Sequence, residues 1–125
     1  MLPRDARLRR SEDFRRTVRH GVRAGRRTVV VHALQLEAST ESDVNRSGGT
    51  DRRVGFVVSK TVGSAVRRNR VRRRLRHLAL AHVPGLPART LVVVRALPPA
   101  AGAGAELGTD LDAAWAAALL RLARR

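Results

Sequence analysis

The 125-residue chain has the length of one domain, and 26 Lys and Arg against 10 Asp and Glu give it a formal net charge of +16. Repulsion among that many positive charges opposes folding into a compact state unless a bound polyanion neutralises them, and nucleic acid is the first candidate. The absence of cysteine excludes disulfides and thiolate metal sites. There is no run of about 20 apolar residues and no signal-peptide core. We therefore expect a cytoplasmic protein with no membrane partner and no small-molecule substrate.

The first half of the chain predicts one helix and one strand. A helix begins near Ser11, which acts as the N-cap ahead of acidic residues, and it ends at Gly21. Residues 28–36 are rich in β-branched side chains and predict a strand. One side of that strand carries Val30, His32 and Leu34. We expect a flexible tail over about residues 1–8 and a flexible loop over about residues 39–50.

The second half predicts two strands and two helices. Residues 54–59 and residues 90–95 predict strands. Gly63 predicts a turn, and residues 64–82 predict a helix that is stopped by residues 83–85. A linker over residues 98–108 leads to a last helix capped by residues 109–112. Its apolar stripe consists of Leu111, Trp115 and Leu119. These elements predict one α+β domain over residues 1–125, a small mixed sheet with helices packed on it in the order α-β-β-(β)-α-β-α.

The helix over residues 64–82 carries most of the charge. At 100° per residue, a narrow apolar stripe faces the sheet and a cationic arc faces away from it. The stripe is formed by Val71, Leu75, Leu78 and His82. The opposite arc carries Asn69, Arg72, Arg73 and Arg76, with Arg68 at its edge.

A charge run is usually a solvated helix face balanced by acids. Here no acid lies between Arg52 and Arg95, which favours a bound polyanion. A membrane surface is the weaker candidate, because the segment lacks the aromatic anchors that such a helix uses. Asn69 either contacts RNA, since it both donates and accepts, or is an ordinary polar residue at the helix start.

Three segments of the chain carry a family resemblance. Residues 7–14 (RLRRSEDF), 53–60 (RVGFVVSK) and 63–76 (GSAVRRNRVRRRLR) together resemble the bacterial ribonuclease P protein component, and the likeness extends from about residue 8 to residue 95. The resemblance implies a ribosomal-protein-like sandwich with a left-handed βαβ crossover. It also implies a particle in which an RNA subunit, with bound Mg²⁺, removes the 5′ leader of precursor tRNA. The protein itself would hold no cofactor, and its partners would be the catalytic RNA and the leader.

The resemblance assigns residues to two surfaces. The RNA-binding basic helix and its approach comprise Lys60, Arg67, Arg68, Asn69, Arg70, Arg72, Arg73 and Arg76. The leader-binding cleft comprises Phe14, Val18, His20, Val30, His32, Val57 and Thr61. From the sequence alone Phe14 is a core residue, and the resemblance reassigns it to the cleft.

This chain departs from the family pattern at three positions of that cleft. Val18 stands where a second aromatic often sits, His32 where an aromatic such as Tyr may sit, and Thr61 where Lys is frequent. We therefore expect weaker leader stacking, or stacking on His32 in place of an aromatic.

We expect no catalytic and no metal-binding residue in the polypeptide. Its four histidines have neither metal-ligand spacing nor an acid placed for a triad. A structural RNA-binding protein of the ribosomal type is the main alternative. A stand-alone metal-dependent nuclease ranks last, because the basic motif contains no clustered acids.

Overall fold

A computed structural model of the chain describes residues 7–8, 11–36 and 52–125. Its helices and strands follow in the order α1 (Ser11–His20), β1 (Val22–Gly25), β2 (Val29–Gln35), β3 (Arg53–Val57), α2 (Ala65–Leu80), β4 (Thr90–Ala96) and α3 (Glu106–Ala123). Short 3-10 turns occur at Lys60–Val62, Val83–Gly85 and Pro98–Gly102. The α+β class is confirmed. The additional strand is β1, whose four residues are too few for a visible alternation.

The strands form one mixed sheet in the order β1-β2-β4-β3. β2 runs antiparallel to β1 and to β4, whereas β3 and β4 are parallel neighbours. Two parallel neighbours need a crossover connection, and α2 provides it. The basic helix is therefore tied at both ends to adjacent strands.

Alternation along the strands divides the sheet into two faces. One face joins α2 and α3 in the main core, which contains Val31, Val94, Leu75, Leu111 and Trp115. The other face lies under α1, where Leu8, Leu91 and Val93 form a smaller buried cluster. We call this second side the α1 face.

The last helix begins earlier than the sequence predicts. It starts at Glu106, so the expected cap residue Thr109 lies inside the helix, where its hydroxyl donates to the Ala105 carbonyl oxygen at 3.3 Å. Asp110 makes a tertiary contact instead of a cap. Its Oδ2 accepts the backbone N–H of Thr28 at 3.1 Å and the Thr28 hydroxyl at 2.7 Å. The predicted linker is a 3-10 turn with a buried Ala100, followed by the first turn of α3.

Arg7 and Leu8, at the inner end of the predicted N-terminal tail, lie beside β3, where Arg7 forms a β-bridge with Val54. Leu8 is buried, and its N–H donates to the Val54 carbonyl oxygen at 2.9 Å beside the edge strand β3. An apolar side chain next to that edge is stabilised by packing against the α1 face. Residues 1–6 of the predicted tail, and the whole predicted loop over residues 39–50, lie outside the described residues.

Phe14 of α1 packs directly on Gly55 of β3. A Cβ at residue 55 would lie 2.3 Å from Phe14 Cζ and 3.0 Å from Leu8 Cβ, both closer than van der Waals contact. Glycine is therefore required at residue 55, because the Phe14 ring approaches the strand backbone too closely for a Cβ atom. It lets the Phe14 ring pack against the backbone of β3.

We predict that Gly55→Ala displaces the Phe14 ring and lowers the free energy of unfolding by about 1–3 kcal/mol, because the new Cβ overpacks the site. Urea denaturation measures the change. Gly25→Ala is the matched control, since its Cβ would meet only Val30 Cγ2 at 3.7 Å, an ordinary contact. Equal losses in the two variants would contradict the proposed close approach.

Candidate nucleic-acid interface

The start of α2 is set by a turn and a cap. Gly63 has a φ of 148°, a conformation that side chains with a Cβ rarely adopt, as the sequence predicted for this turn. Ser64 then caps the helix, its Oγ accepting the Arg67 N–H at 3.3 Å. The basic residues consequently begin within the first turn.

The underside of α2 is narrower than predicted. Its buried residues are Val71, Leu75 and Ala79, spaced by four, while Leu78 is only half-buried. His82 lies past the helix end, where Nε2 is 2.6 Å from Asp112 Oδ1 and the ring stacks on Trp115 with centroids 5.1 Å apart. This contact fastens the end of α2 to α3. The stripe leaves most of the helix circumference to the arginines.

The predicted basic residues lie on the outside of the domain. Fully exposed members are Lys60, Arg67, Asn69, Arg70 and Arg73; half-buried members are Arg68, Arg72 and Arg76. Among the residues that the structure describes, ion pairs join Arg16 to Asp13, Arg27 to Glu106 and His82 to Asp112. None of these involves a cation of the predicted basic surface, so no described carboxylate neutralises it.

Asn69 and Arg72 form a pair on this surface. Asn69 Oδ1 accepts a hydrogen bond from Arg72 Nη1 at 3.0 Å across one helical turn. The amide therefore orients a guanidinium group and keeps its own NH₂ available for a further acceptor. The contact is a polar interaction within the helix, and contact of Asn69 with RNA stays a prediction.

Arg76 connects the basic helix to the α1 face. Burial lowers the pKa of Arg76, and the positive charges of Arg7 and Arg72 lower it further, which shows that three guanidinium groups converge here. Arg76 stays charged, because an arginine is not deprotonated in proteins. It borders a cavity of about 400 Å³. The cavity is lined by Arg7, Leu8, Phe14, Val54, Gly55, Phe56 and Arg76.

Arg74 is the arginine of this helix that serves the fold. Its Nη1 donates to the Ala103 carbonyl oxygen at 2.6 Å and its Nη2 to the Gly104 carbonyl oxygen at 2.7 Å. The guanidinium fork thus fixes α2 against the segment that precedes α3. Spacing alone does not separate Arg74 from Arg73, which is fully exposed.

The strand register defines two rows of side chains on the α1 face. One row is Val57, Arg95, Val30 and Gly25, and the next is Gly55, Val93, His32 and Arg23. The predicted cleft residues Val30, His32 and Val57 therefore share a face with Phe14. Val18 and His20 project from α1 and are exposed, Val18 by 43%. Thr61 lies beyond the end of β3, with its hydroxyl 2.7 Å from that of Ser59.

Two features of the cleft differ from expectation. His32 is only 4% exposed, so its ring presents no open face to a base, and the expectation that it stacks in place of an aromatic is not met in this arrangement. Arg95 was not singled out, yet it is exposed on the central strand β4, between Val30 and Val57. In the sequence, Arg95 is a single charge that alternates with Leu91 and Val93. Only the strand register shows that it lies on the α1 face, between Val30 and Val57.

His32 is held neutral by its surroundings. Burial lowers its pKa, and the positive charges of Arg23 and Arg95 lower it further. Neither ring nitrogen has a hydrogen-bond partner within the part of the chain that the structure describes. A neutral imidazole between two cations indicates that the α1 face carries a positive potential.

No helix among the described residues is long and apolar enough to cross a membrane. The same residues contain no group of three or more His, Asp or Glu side chains placed to hold a metal ion.

A small α+β domain whose arginine helix has no described carboxylate partner, and whose sheet face carries Arg23 and Arg95, has the charge pattern of the class of nucleic-acid-binding domains. A family model described as Ribonuclease P matches residues 2–119. The ribonuclease P protein component of Salinispora tropica is 52% identical over all of this chain and 98% of its own length. That of Streptomyces bikiniensis is 52% identical over 91% of this chain and 92% of its own.

Solved structures agree in fold. The Staphylococcus aureus RNase P protein superimposes with a TM-score of 0.73 at 24% identity, covering 90% of this chain and 94% of that one. The Thermotoga maritima protein gives 0.56 at 22% identity, covering 93% of each chain. The chain belongs to the ribonuclease P protein family, the protein component of the ribonucleoprotein endonuclease of tRNA processing. The resemblance seen in the sequence motifs is confirmed.

We predict that Arg74→Ala lowers the free energy of unfolding by about 1–3 kcal/mol, because it removes two charge-assisted hydrogen bonds. Arg73→Ala is the matched control from the same helix, and its exposed side chain predicts a change within about 0.5 kcal/mol. Thermal unfolding of both variants checks the difference. Equal stabilities would show that the Arg74 contacts contribute nothing to the fold.

We also predict a pH dependence that originates at His32. As the pH falls below the ordinary histidine value of 6.5, the unfolded chain takes up a proton that folded His32 resists, so stability declines. His32→Phe removes the titrating group and should flatten this decline, whereas exposed His20→Gln should leave it unchanged. Urea midpoints measured across this pH range test the assignment, which fails if the His32→Phe profile matches that of the wild type.

Proposed function

We propose that this protein binds the catalytic RNA of ribonuclease P through α2 and holds the 5′ leader of precursor tRNA in the cleft between α1 and the sheet. The observation that supports the proposal most strongly is that the basic surface of α2 is continuous with the α1 face. The arginines of α2, which have no described carboxylate partner, adjoin the α1 face through the cavity between Arg76 and Phe14. Both surfaces are cationic, and they meet at one place.

The cleft has the chemistry of a single-strand site. The Phe14 ring, half-buried on Gly55, and the exposed Val18 supply apolar surface for unpaired bases. Stacking of a base on an aromatic ring is worth about 1–3 kcal/mol. Arg95 stands among the valines of the sheet floor, where its guanidinium group is available to a phosphate. A leader is single-stranded and so offers both of these ligand types at once.

The outer face of α2 has the chemistry of a phosphate-binding helix. Its exposed cations lie along the helix with no described acid between them, and guanidinium groups bind phosphate through two parallel bonds. The remaining NH₂ of Asn69 suits a 2′-hydroxyl group, which a folded RNA presents in its minor groove. This surface therefore fits a structured RNA rather than a free strand.

In this proposal the polypeptide binds and orients RNA, and it supplies no group to the cleaved phosphodiester. Bound Mg²⁺, which the RNA would mainly hold, would supply the chemistry of water activation and of leaving-group stabilisation. The arginines of α2 and the cleft bring the leader to that site. The purified polypeptide alone should then leave precursor tRNA intact, and adding the RNA subunit should restore cleavage at low Mg²⁺.

We predict that Arg76→Ala weakens assembly with the RNA subunit and lowers the slope of log affinity against log salt by about one, because one phosphate contact is lost. Arg72→Ala should behave alike. Filter binding over a salt series measures the slope. Arg27→Ala is the control, since its guanidinium group already pairs with Glu106. A slope unchanged from the wild type would remove these residues from the phosphate contacts.

The leader contact is tested by comparing precursor with mature tRNA in the presence of the RNA subunit. We expect wild-type protein to favour the precursor, and Phe14→Leu to lose about 1–3 kcal/mol of that preference, since leucine keeps an apolar contact on Gly55 without a stacking face. Binding of mature tRNA should not change. Equal affinity of the wild type for both RNAs would instead support a ribosomal-type structural role, and a uniform loss in the variant would indicate misfolding.

A further inference from the structure

A second group of arginines lies at the sheet edge farthest from β3. Arg23 is exposed on β1, and the Arg121 guanidinium group of α3 donates to the Arg23 carbonyl oxygen. Arg124 caps the C-terminal end of this helix and Arg125 follows it directly, within four residues of Arg121. All four side chains are exposed. We call this group the β1–α3 corner.

The charge of this corner is not balanced by the acids of α3. Glu106, Asp110 and Asp112 all lie in the first two turns of that helix, where they contact Arg27, Thr28 and His82. Residues 113–125 contain no acid at all. Among the described residues, no carboxylate pairs with Arg23 or with the three arginines that end α3.

A purely structural explanation accounts for part of this arrangement. Cations in the last turn of a helix complement its dipole by about 0.3–1 kcal/mol. That effect does not require Arg23 on the neighbouring strand, and the chain already carries a net charge of +16, which penalises each added cation. The gathering of arginines from two elements at one place therefore indicates a ligand.

The corner continues the surface assigned to the leader. The row Val57, Arg95, Val30 and Gly25 runs across all four strands of the α1 face, and its Arg95 and Gly25 are exposed. Three strand spacings make this path roughly 14 Å long. A single strand that follows this row from the cleft reaches β1 two residues from Arg23, whose carbonyl oxygen accepts from Arg121 at the end of α3.

We propose that the β1–α3 corner binds backbone phosphates of the 5′ leader, in the part of the leader that extends past the segment held at Phe14. This proposal rests on the proposed function. The corner contains guanidinium groups and no aromatic ring, so it binds phosphates and does not distinguish one base from another. It gives long leaders an added affinity that is independent of sequence and falls with salt.

The test uses the protein assembled with its RNA subunit. Affinities are measured for mature tRNA and for precursors with leaders of about four and about sixteen nucleotides, the range that a small single-strand-binding fold covers. The double variant Arg124→Gln/Arg125→Gln leaves the Arg121 bond to β1 in place. We expect it to lose on the order of two- to tenfold affinity for the long leader only, as for two exposed ion pairs. Arg27→Gln, near the other end of α3, should lose nothing.

Each other outcome has a distinct meaning. An equal loss on all three RNAs would overturn the proposal and place the corner against the catalytic RNA. No loss on any of them would overturn it in favour of helix-dipole compensation, provided that thermal unfolding shows the variant to be folded. If the wild type gains from the long leader but does not separate the short leader from mature tRNA, the Phe14 cleft fails while the corner stands. If no leader alters wild-type affinity, both proposals fail.

Discussion

The docking of α2 through a narrow apolar stripe is the contact on which the rest of the interface depends. Val71, Leu75 and Ala79 are buried, Leu78 and Leu80 pack partly buried beside them, and most of the remaining helix surface is left to cations. A wider apolar face would turn arginines inwards, where an unpaired charge is costly. Arg74 is the one α2 arginine with two backbone carbonyl acceptors among the described contacts, and it uses them to fix the helix. The geometry of docking thereby sets which guanidinium groups RNA can reach.

The acids complete this arrangement by their placement. Glu106, Asp110 and Asp112 hold α3 to the β1–β2 turn and to the end of α2. Bound there, they leave the outer face of α2 and the far end of α3 without a described carboxylate. Three of the ten acids of this chain, whose net charge is +16, thus serve contacts within the fold. In the proposed function, folding and RNA binding are coupled through this placement, because each uncompensated arginine opposes compaction until a phosphate neutralises it.

How much of the site was predictable differs between its two halves. The basic helix and its exposed arginines were predicted because helical period and charge are both local properties. Two members of its predicted apolar stripe differ: Ala79 takes the buried position expected of Leu78, and His82 lies past the helix end. The cleft was found through family resemblance and only in part. His32 matched the pattern but is enclosed, whereas Arg95 was overlooked, since its meaning comes from its neighbours Val30 and Val57 on other strands. The helix start at Glu106 was missed because Asp110, which was expected in the cap, lies inside the helix. Its side chain instead accepts the backbone N–H of Thr28, just before β2.

The sequence by itself determined the class of the molecule: an α+β fold and an arginine helix with a single apolar stripe and a Gly63 turn before it. It also led to the expectation of a polyanion as partner. These features follow from composition and from residue spacing within one element, and neither depends on how the elements pack together. Only the tertiary structure decided which residues of different elements meet. Phe14 lies on Gly55, Arg76 lies near Arg7, and Arg23 lies beside Arg121, because strand register and helix docking bring together residues far apart in the chain. No local pattern encodes those distances.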